Sequence, residues 1–278
     1  MIGIFRPVNL LLLFAVQFTL WHRLCLHHHA TAEIFNFILL TISVICCAAA
    51  GYVINDIFDI ETDRINKTDR VFIDRKISKK NAFMLYNLLN CWALGSAVAL
   101  QDIKIILITS AAILLLFFYS KNLKNTILTG NLTVALLSIL PIIEIYLYFD
   151  AGNSKSEFAA YAIFAFLTTV LREIVKDRED QDGDLKSGVK TLANSISNKK
   201  LKLVLFILNI LLLATLVGFI FYLNNFKTPY FLIYILLMII PSLIIFALII
   251  RLKYQSDYSF LSLFIKIYMF LGLILLWI

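Results

Sequence analysis

Residues 34–63 read IFNFILLTISVICCAAAGYVINDIFDIETD: a largely apolar run from 34 to 56 that closes on Asn55, Asp56, Asp59 and Asp63. A helix needs about 20 such residues to cross a hydrocarbon core, so this stretch has the length of a membrane span with an acidic end. Eight more runs of similar character flank it, at roughly 8–27, 82–100, 103–120, 130–149, 157–175, 201–224, 229–250 and 258–278. Only Gln101, Asp102 and their neighbours join the third and fourth. The chain is 61% hydrophobic, against the roughly 45–50% of a soluble domain, and its mean hydropathy is +0.87. Short alternating segments of the kind that build an outer-membrane barrel are absent from the sequence. The expected fold is therefore all-α and integral to the membrane, with nine spanning helices. No Gly/Ser linker or low-complexity tract interrupts it, so residues 1–278 read as a single domain.

A net charge of +7 raises the question of a nucleic-acid partner, but the distribution of the charge answers it. Arg6 and the connections after the second, fourth, sixth and eighth runs together hold 18 Lys and Arg residues. Arg23, Lys104, Lys155 and Lys227 are the four near the opposite side. The charge thus follows the membrane, and the positive-inside bias places the N-terminus and those four connections in the cytoplasm and the C-terminus outside. No nucleic-acid partner is expected.

The acidic residues gather on the same side, in two connections. Asp56, Asp59 and Asp63 are spaced i, i+3, i+7, which on a helix puts them on one face, with Asn55 one turn before Asp59. Asp177, Asp180 and Asp184, in DREDQDGD at the end of the sixth run, repeat that spacing. Carboxylates aligned in this way repel one another unless a cation lies between them. Two oxygen-rich arrays without His or Cys fit Mg²⁺, or Mn²⁺, on a diphosphate, because Mg²⁺ keeps several waters, takes a few carboxylates and bridges to phosphate oxygens. Arg64, Lys67 and Arg70 follow the first array, Arg172 and Lys176 precede the second, and Lys121 and Lys124 are the charges of the short connection after the fourth run. These cations would hold the phosphates. Tyr119, just before them, is either an interfacial aromatic or a face for a carbocation. Glu179 and Asp182 fall off the aligned face and read as solvated, while Gly183 is either a helix stop or a point where the helix opens.

Other features read as structural. Cys25, Cys46, Cys47 and Cys91 lack metal-site spacing and serve as packing residues. Ala30, Thr31 and Ala32 imitate a signal-peptidase site, but the preceding apolar stretch is longer than a signal core, so a retained helix is expected. His27, His28 and His29 form a solvated cluster on the side away from the carboxylates. Glu144 and Lys266 lie inside apolar runs, where charge is expensive, and the sequence offers no role for either beyond snorkelling of Lys266.

NDIFDIETD and DREDQDGD together resemble the paired NDxxDxxxD and DxxDxxxD motifs of the UbiA prenyltransferase family, in spacing, order and position. Arg6, Pro7 and Asn9 at the start, YSKNLK at 119–124 and GNLTVALLS at 130–138 are similar to the family's first helix and to its passage from the fourth span into the fifth. The resemblance reaches to about residue 192. REIVKDREDQDGD at 172–184 looks most like the branch that makes archaeal-type ether lipids, although Thr68 and Phe72 stand where that branch usually has prolines.

The resemblance implies a nine-helix bundle around a central cavity, with a cytoplasmic cap formed by the loops after helices 2 and 6. It implies transfer of a polyprenyl group, geranylgeranyl in the ether-lipid branch, from its diphosphate to an acceptor held among membrane lipids. Asn55, Asp56, Asp59 and Asp63 would ligate one Mg²⁺, and Asp177, Asp180 and Asp184 a second. Asp59, Asp180, Tyr119 and Lys124 would act on the reacting centre, while Asn9, Arg64, Lys67, Arg70, Lys121, Lys124, Arg172 and Lys176 would bind substrate. The acceptor is either a lipid phosphate with a free hydroxyl, such as geranylgeranylglyceryl phosphate, or a hydroxybenzoate or naphthoate of quinone synthesis. An ion transporter is the competing class, but transport calls for ionisable groups near the bilayer midplane, whereas the carboxylates here gather at its edge.

Overall fold

The computed structural model describes residues 2–28, 34–60, 73, 76–186, 188–223 and 228–275. Each apolar run becomes a helix: α1 (Pro7–His28), α2 (Ile34–Phe58), α3 (Lys79–Ala99), α4 (Ile103–Lys121), α5 (Thr129–Tyr148) and α6 (Lys155–Glu179). The short α7 (Gln181–Lys186) and α8 (Leu192–Ser195) follow, then α9 (Asn198–Leu223), α10 (Thr228–Tyr234), α11 (Ile240–Arg251) and α12 (Gln255–Leu275). A π-helical stretch, Ile235–Ile239, joins α10 to α11. Counting that pair once, nine helices among the described residues are long and apolar enough to cross a membrane. The protein is a multi-pass membrane protein. Its surface agrees, for Leu11, Trp92, Leu107, Phe221, Leu232 and Phe260 are all more than half exposed, which suits lipid rather than water.

Local chemistry sets the boundaries. The narrow join between the third and fourth runs is a real turn: Gln101 takes a positive φ of 55°, and the Asp102 side chain caps α4 by accepting from the Lys104 N–H at 2.8 Å. Ser78 caps α3 in the same way, accepting from the Asn81 N–H at 3.2 Å.

The helices group into two compact units, residues 1–124 with 140–153, and residues 125–139 with 154–278. In the first unit α2 is the most enclosed helix and packs on α3 and α4. Gly51 permits the α2–α4 approach, because a Cβ there would stand 2.7 Å from the Leu116 side chain. Ser43 and Thr109 share a hydrogen bond of 3.1 Å between the same helices, and Thr109 donates to Glu144 at 3.4 Å. Glu144, unexplained in the sequence, is thus an acceptor inside this unit.

In the second unit α6 packs on α9 and α12. Asn209 and Ser242 exchange two hydrogen bonds of 3.1 Å between α9 and α11. Tyr268 donates to the Met238 carbonyl at 2.8 Å, within the π-helical stretch, so a polar partner meets the backbone where the i, i+4 bonding is interrupted.

Candidate active site

The first acidic cluster forms where α2 ends. Helical bonding carries one residue beyond the helix, since the Asp59 N–H still donates to the Asn55 carbonyl at 2.9 Å. That turn brings the Asn55 side-chain amide to Asp59, donating at 2.8 Å. The other Asp59 oxygen is ion-paired with Lys124, from the 3₁₀ turn Leu123–Asn125 that follows α4. Asp56 is paired with Arg6 at 3.2 Å, and the Arg6 guanidinium also lies 4.9 Å from the Tyr52 ring centroid. The structure therefore joins Asn55, Asp59 and Lys124, and pairs Asp56 with Arg6. Asp63, Arg64, Lys67 and Arg70 lie outside the described residues.

The second cluster forms at the end of α6. The helix breaks at Asp180 and resumes as α7, yet the Asp180 N–H donates to the Lys176 carbonyl at 2.9 Å and the Asp184 N–H to the Asp180 carbonyl at 3.1 Å. The i, i+4 ladder survives the break, and with it the shared face of Asp177, Asp180 and Asp184. The opening falls three residues before Gly183. Asn131, at the start of α5, donates to Asp177 at 2.8 Å. Asp184 is half-buried while Asp182 is exposed, as their positions on and off the face require. Arg172 pairs with Glu173 at 2.7 Å, one turn before Asp177, and Lys176 is half-buried beside them.

The other expected residues are placed less closely. Tyr119 is half-buried on the last turns of α4, Asn9 half-buried on the first turn of α1, and Lys121 is exposed with its ammonium 5.9 Å from the Phe117 ring centroid. Two partners escaped a reading by spacing. Arg6 is 50 positions from Asp56 and Asn131 is 46 from Asp177, so no local pattern links them. Their one signal was membership in segments that resembled the family.

The donor set fits a hard divalent cation, being carboxylate and amide oxygen throughout. Asn55 commits its NH₂ group to Asp59, which leaves its carbonyl oxygen for an ion. Among the described residues no three carboxylates converge on one point. Arg6 and Lys124 draw Asp56 and Asp59 toward themselves, and Mg²⁺ in any case takes one or two carboxylates and completes its shell with water and phosphate.

Membrane-length helices with acidic clusters at their ends, each clasped by an asparagine amide and flanked by cations, define an enzyme embedded in the bilayer that handles an anionic head group. The chain belongs to the UbiA prenyltransferase family, whose model matches residues 15–274, and it is accordingly a prenyl transferase. It is similar to the digeranylgeranylglyceryl phosphate synthase of Sulfurisphaera tokodaii, 37% identical over 69% of this chain and 68% of that protein. To the synthase of the same name from Saccharolobus solfataricus it is 36% identical, over 66% of this chain and 65% of that one. The matched stretch therefore spans about two-thirds of these relatives. Among solved structures, one of digeranylgeranylglyceryl phosphate synthase in membranes has a TM-score of 0.77 at 26% identity, covering 98% of this chain and 94% of the other. A UbiA homologue from Archaeoglobus fulgidus bound to GPP and Mg²⁺ shares the fold, with a TM-score of 0.68 at 16% identity over 99% and 98% of the two chains.

Proposed function

We propose that this prenyltransferase moves a geranylgeranyl group from its diphosphate to the free hydroxyl of geranylgeranylglyceryl phosphate, a step of ether-lipid synthesis. The observation that carries the reading is Asp59, whose two oxygens take the Asn55 amide and the Lys124 ammonium. It sets an oxygen ligand for a metal directly beside a cation for phosphate. The acceptor is supported by the two relatives compared above, 36–37% identical over the matched stretch and both named digeranylgeranylglyceryl phosphate synthase.

In this reading Asn55, Asp56, Asp59 and Asp63 hold one Mg²⁺ and Asp177, Asp180 and Asp184 another, with Mn²⁺ as a substitute. Bound there, the ions would supply positive charge to the departing pyrophosphate oxygens. Lys121 and Lys124, with Arg64, Lys67 and Arg70, neutralise the phosphate charge that remains, and Arg172 and Lys176 serve the substrate from α6. Asn9 contributes from the first turn of α1. Tyr119 offers its ring to the allylic cation. The polyprenyl tail stays among apolar helices, which spares it passage through water. The acidic clusters and the N-terminus face the cytoplasm, and the C-terminus lies outside. All 278 residues act as one domain.

The test is to incubate membranes containing the protein with labelled geranylgeranyl diphosphate, Mg²⁺ and a panel of acceptors, and to identify the product by mass. A digeranylgeranyl ether of glyceryl phosphate is expected. Label appearing only on an aromatic acceptor would replace this reading with quinone synthesis.

A further inference from the structure

The acceptor hydroxyl must lose a proton as its oxygen takes C1 of the prenyl group. The carboxylates assigned to Mg²⁺ and the phosphate-binding cations leave that proton without a destination, since a carboxylate that ligates a divalent ion is a poor base. We propose that Glu173 receives it, and that Arg172, paired with Glu173, binds the phosphate of the acceptor. The proposal rests on the ether-lipid reading above, in which the acceptor carries both groups.

Three observations support it. Glu173 sits on α6 one turn before Asp177, and the Glu173 and Asp184 carboxylates are both close enough to act on the charge of Asp177. Glu173 thus continues the face of Asp177, Asp180 and Asp184 one turn toward the start of α6. Its side chain is 13% exposed and so largely shielded from bulk water.

The pairing with Arg172 is itself unusual. Adjacent residues on a helix do not face each other, so a contact of 2.7 Å between Arg172 Nη1 and Glu173 Oε1 requires both side chains to turn into the same space. The third observation is that Arg172 Nε is buried and has no acceptor. A guanidinium has five N–H donors, and the edge formed by Nε and its neighbouring Nη matches two phosphate oxygens side by side. Glu173 occupies Nη1, which leaves that edge for a ligand.

In a glyceryl phosphate acceptor the phosphate and the free hydroxyl stand on neighbouring carbons. A cation and a carboxylate in contact are matched to that separation, so the phosphate on Arg172 delivers the hydroxyl to Glu173. The step balances. The C1–O bond of the donor breaks, with its electron pair leaving on pyrophosphate. The acceptor oxygen forms the new C1–O bond, its O–H bond breaks, and the proton passes to the Glu173 carboxylate and afterwards to water.

The experiment uses the full chain in lipid nanodiscs with geranylgeranyl diphosphate, Mg²⁺ and geranylgeranylglyceryl phosphate, followed over a range of pH. Glu173→Gln is expected to lower kcat about 10²-fold or more and to remove the acid limb of the pH–rate profile. Its KM for the donor and its acceptor-independent release of pyrophosphate should match those of the parent, which also reports a folded protein. Arg172→Lys should raise the KM for the acceptor with kcat within a few-fold, because an ammonium lacks the planar fork. Unchanged kcat and an intact acid limb in Glu173→Gln would overturn the assignment, as would a parallel loss of pyrophosphate release. Failure of the ether-lipid reading shows elsewhere, in a parent protein that leaves the phosphate-bearing acceptor untouched, and it removes the Glu173 role as well.

Discussion

The side-chain amide of Asn131 donates to an oxygen of Asp177 at 2.8 Å, tying the first turn of α5 to the end of α6. Asn131 is only 7% exposed, so the bond is made away from water and fixes which way the carboxylate points. Replacing Asn131 with Ala leaves one oxygen of Asp177 without its donor, which costs about 1–3 kcal/mol for a buried polar group. A lowered unfolding temperature in detergent and a fall in prenyl transfer are both expected. A thermal-shift measurement with activity in the same micelles checks this, and a variant as stable and as active as the parent would show the bond to be incidental.

Asp59 and Asp180 occupy the middle of their aligned sets, and each stands where its helix ends. Substituting either with Ala should lower the rate of transfer by about 10²–10³, the usual effect of removing one contact that stabilises a leaving charge. Asp182 is exposed and off that face, so Asp182→Ala should stay within a few-fold of the parent. Single-turnover rates of the three variants at equal membrane content make the comparison. Equal damage from Asp182→Ala would remove the basis for choosing ligands by helical face.

An oxygen-only donor set gives a clear expectation for metal removal. EDTA should abolish turnover, Mg²⁺ should restore it fully and Mn²⁺ should substitute. Zinc should not, lacking the His or Cys ligands it prefers. Full activity after rigorous chelation would contradict the role given to both clusters.

The orientation of the chain is tested by single cysteines introduced at Asn81, beside the Ser78 cap of α3, and at Ser154, just before α6. With the native cysteines replaced, an impermeant maleimide applied to intact cells should reach Ser154→Cys and should reach Asn81→Cys only after the cells are opened. Labelling of both from one face would refute the cytoplasmic placement of the acidic ends.

The spans and the acidic positions were legible in the sequence because each is a local pattern. A run of about 20 apolar residues has one physical outcome in a bilayer, and i, i+3, i+7 spacing determines a face wherever helical bonding continues. The narrow join at Gln101 and Asp102 was legible as a polar gap between apolar runs, though its capping role was not. What the sequence did not carry was the pairing of those carboxylates with Arg6, Lys124 and Asn131, since contacts between residues tens of positions apart are decided by packing. Glu144 shows the same limit. Its burial beside Thr109 and Ser43 depends on three helices meeting, and the sequence registered only an acid in an apolar run. An interruption near the second cluster was read at Gly183, and the break of α6 falls three residues earlier, at Asp180.

The separations within the first cluster also set an order of assembly during synthesis. Asp56 finds its cation behind it in the chain, at Arg6, so that pair can close once α2 has entered the bilayer. Asp59 draws its cation from ahead, at Lys124, and two further helices must emerge from the ribosome before the two can meet. A nascent chain halted between α2 and residue 124 therefore carries Asp59 without its ammonium, and the cluster matures only when the translocon has released α4.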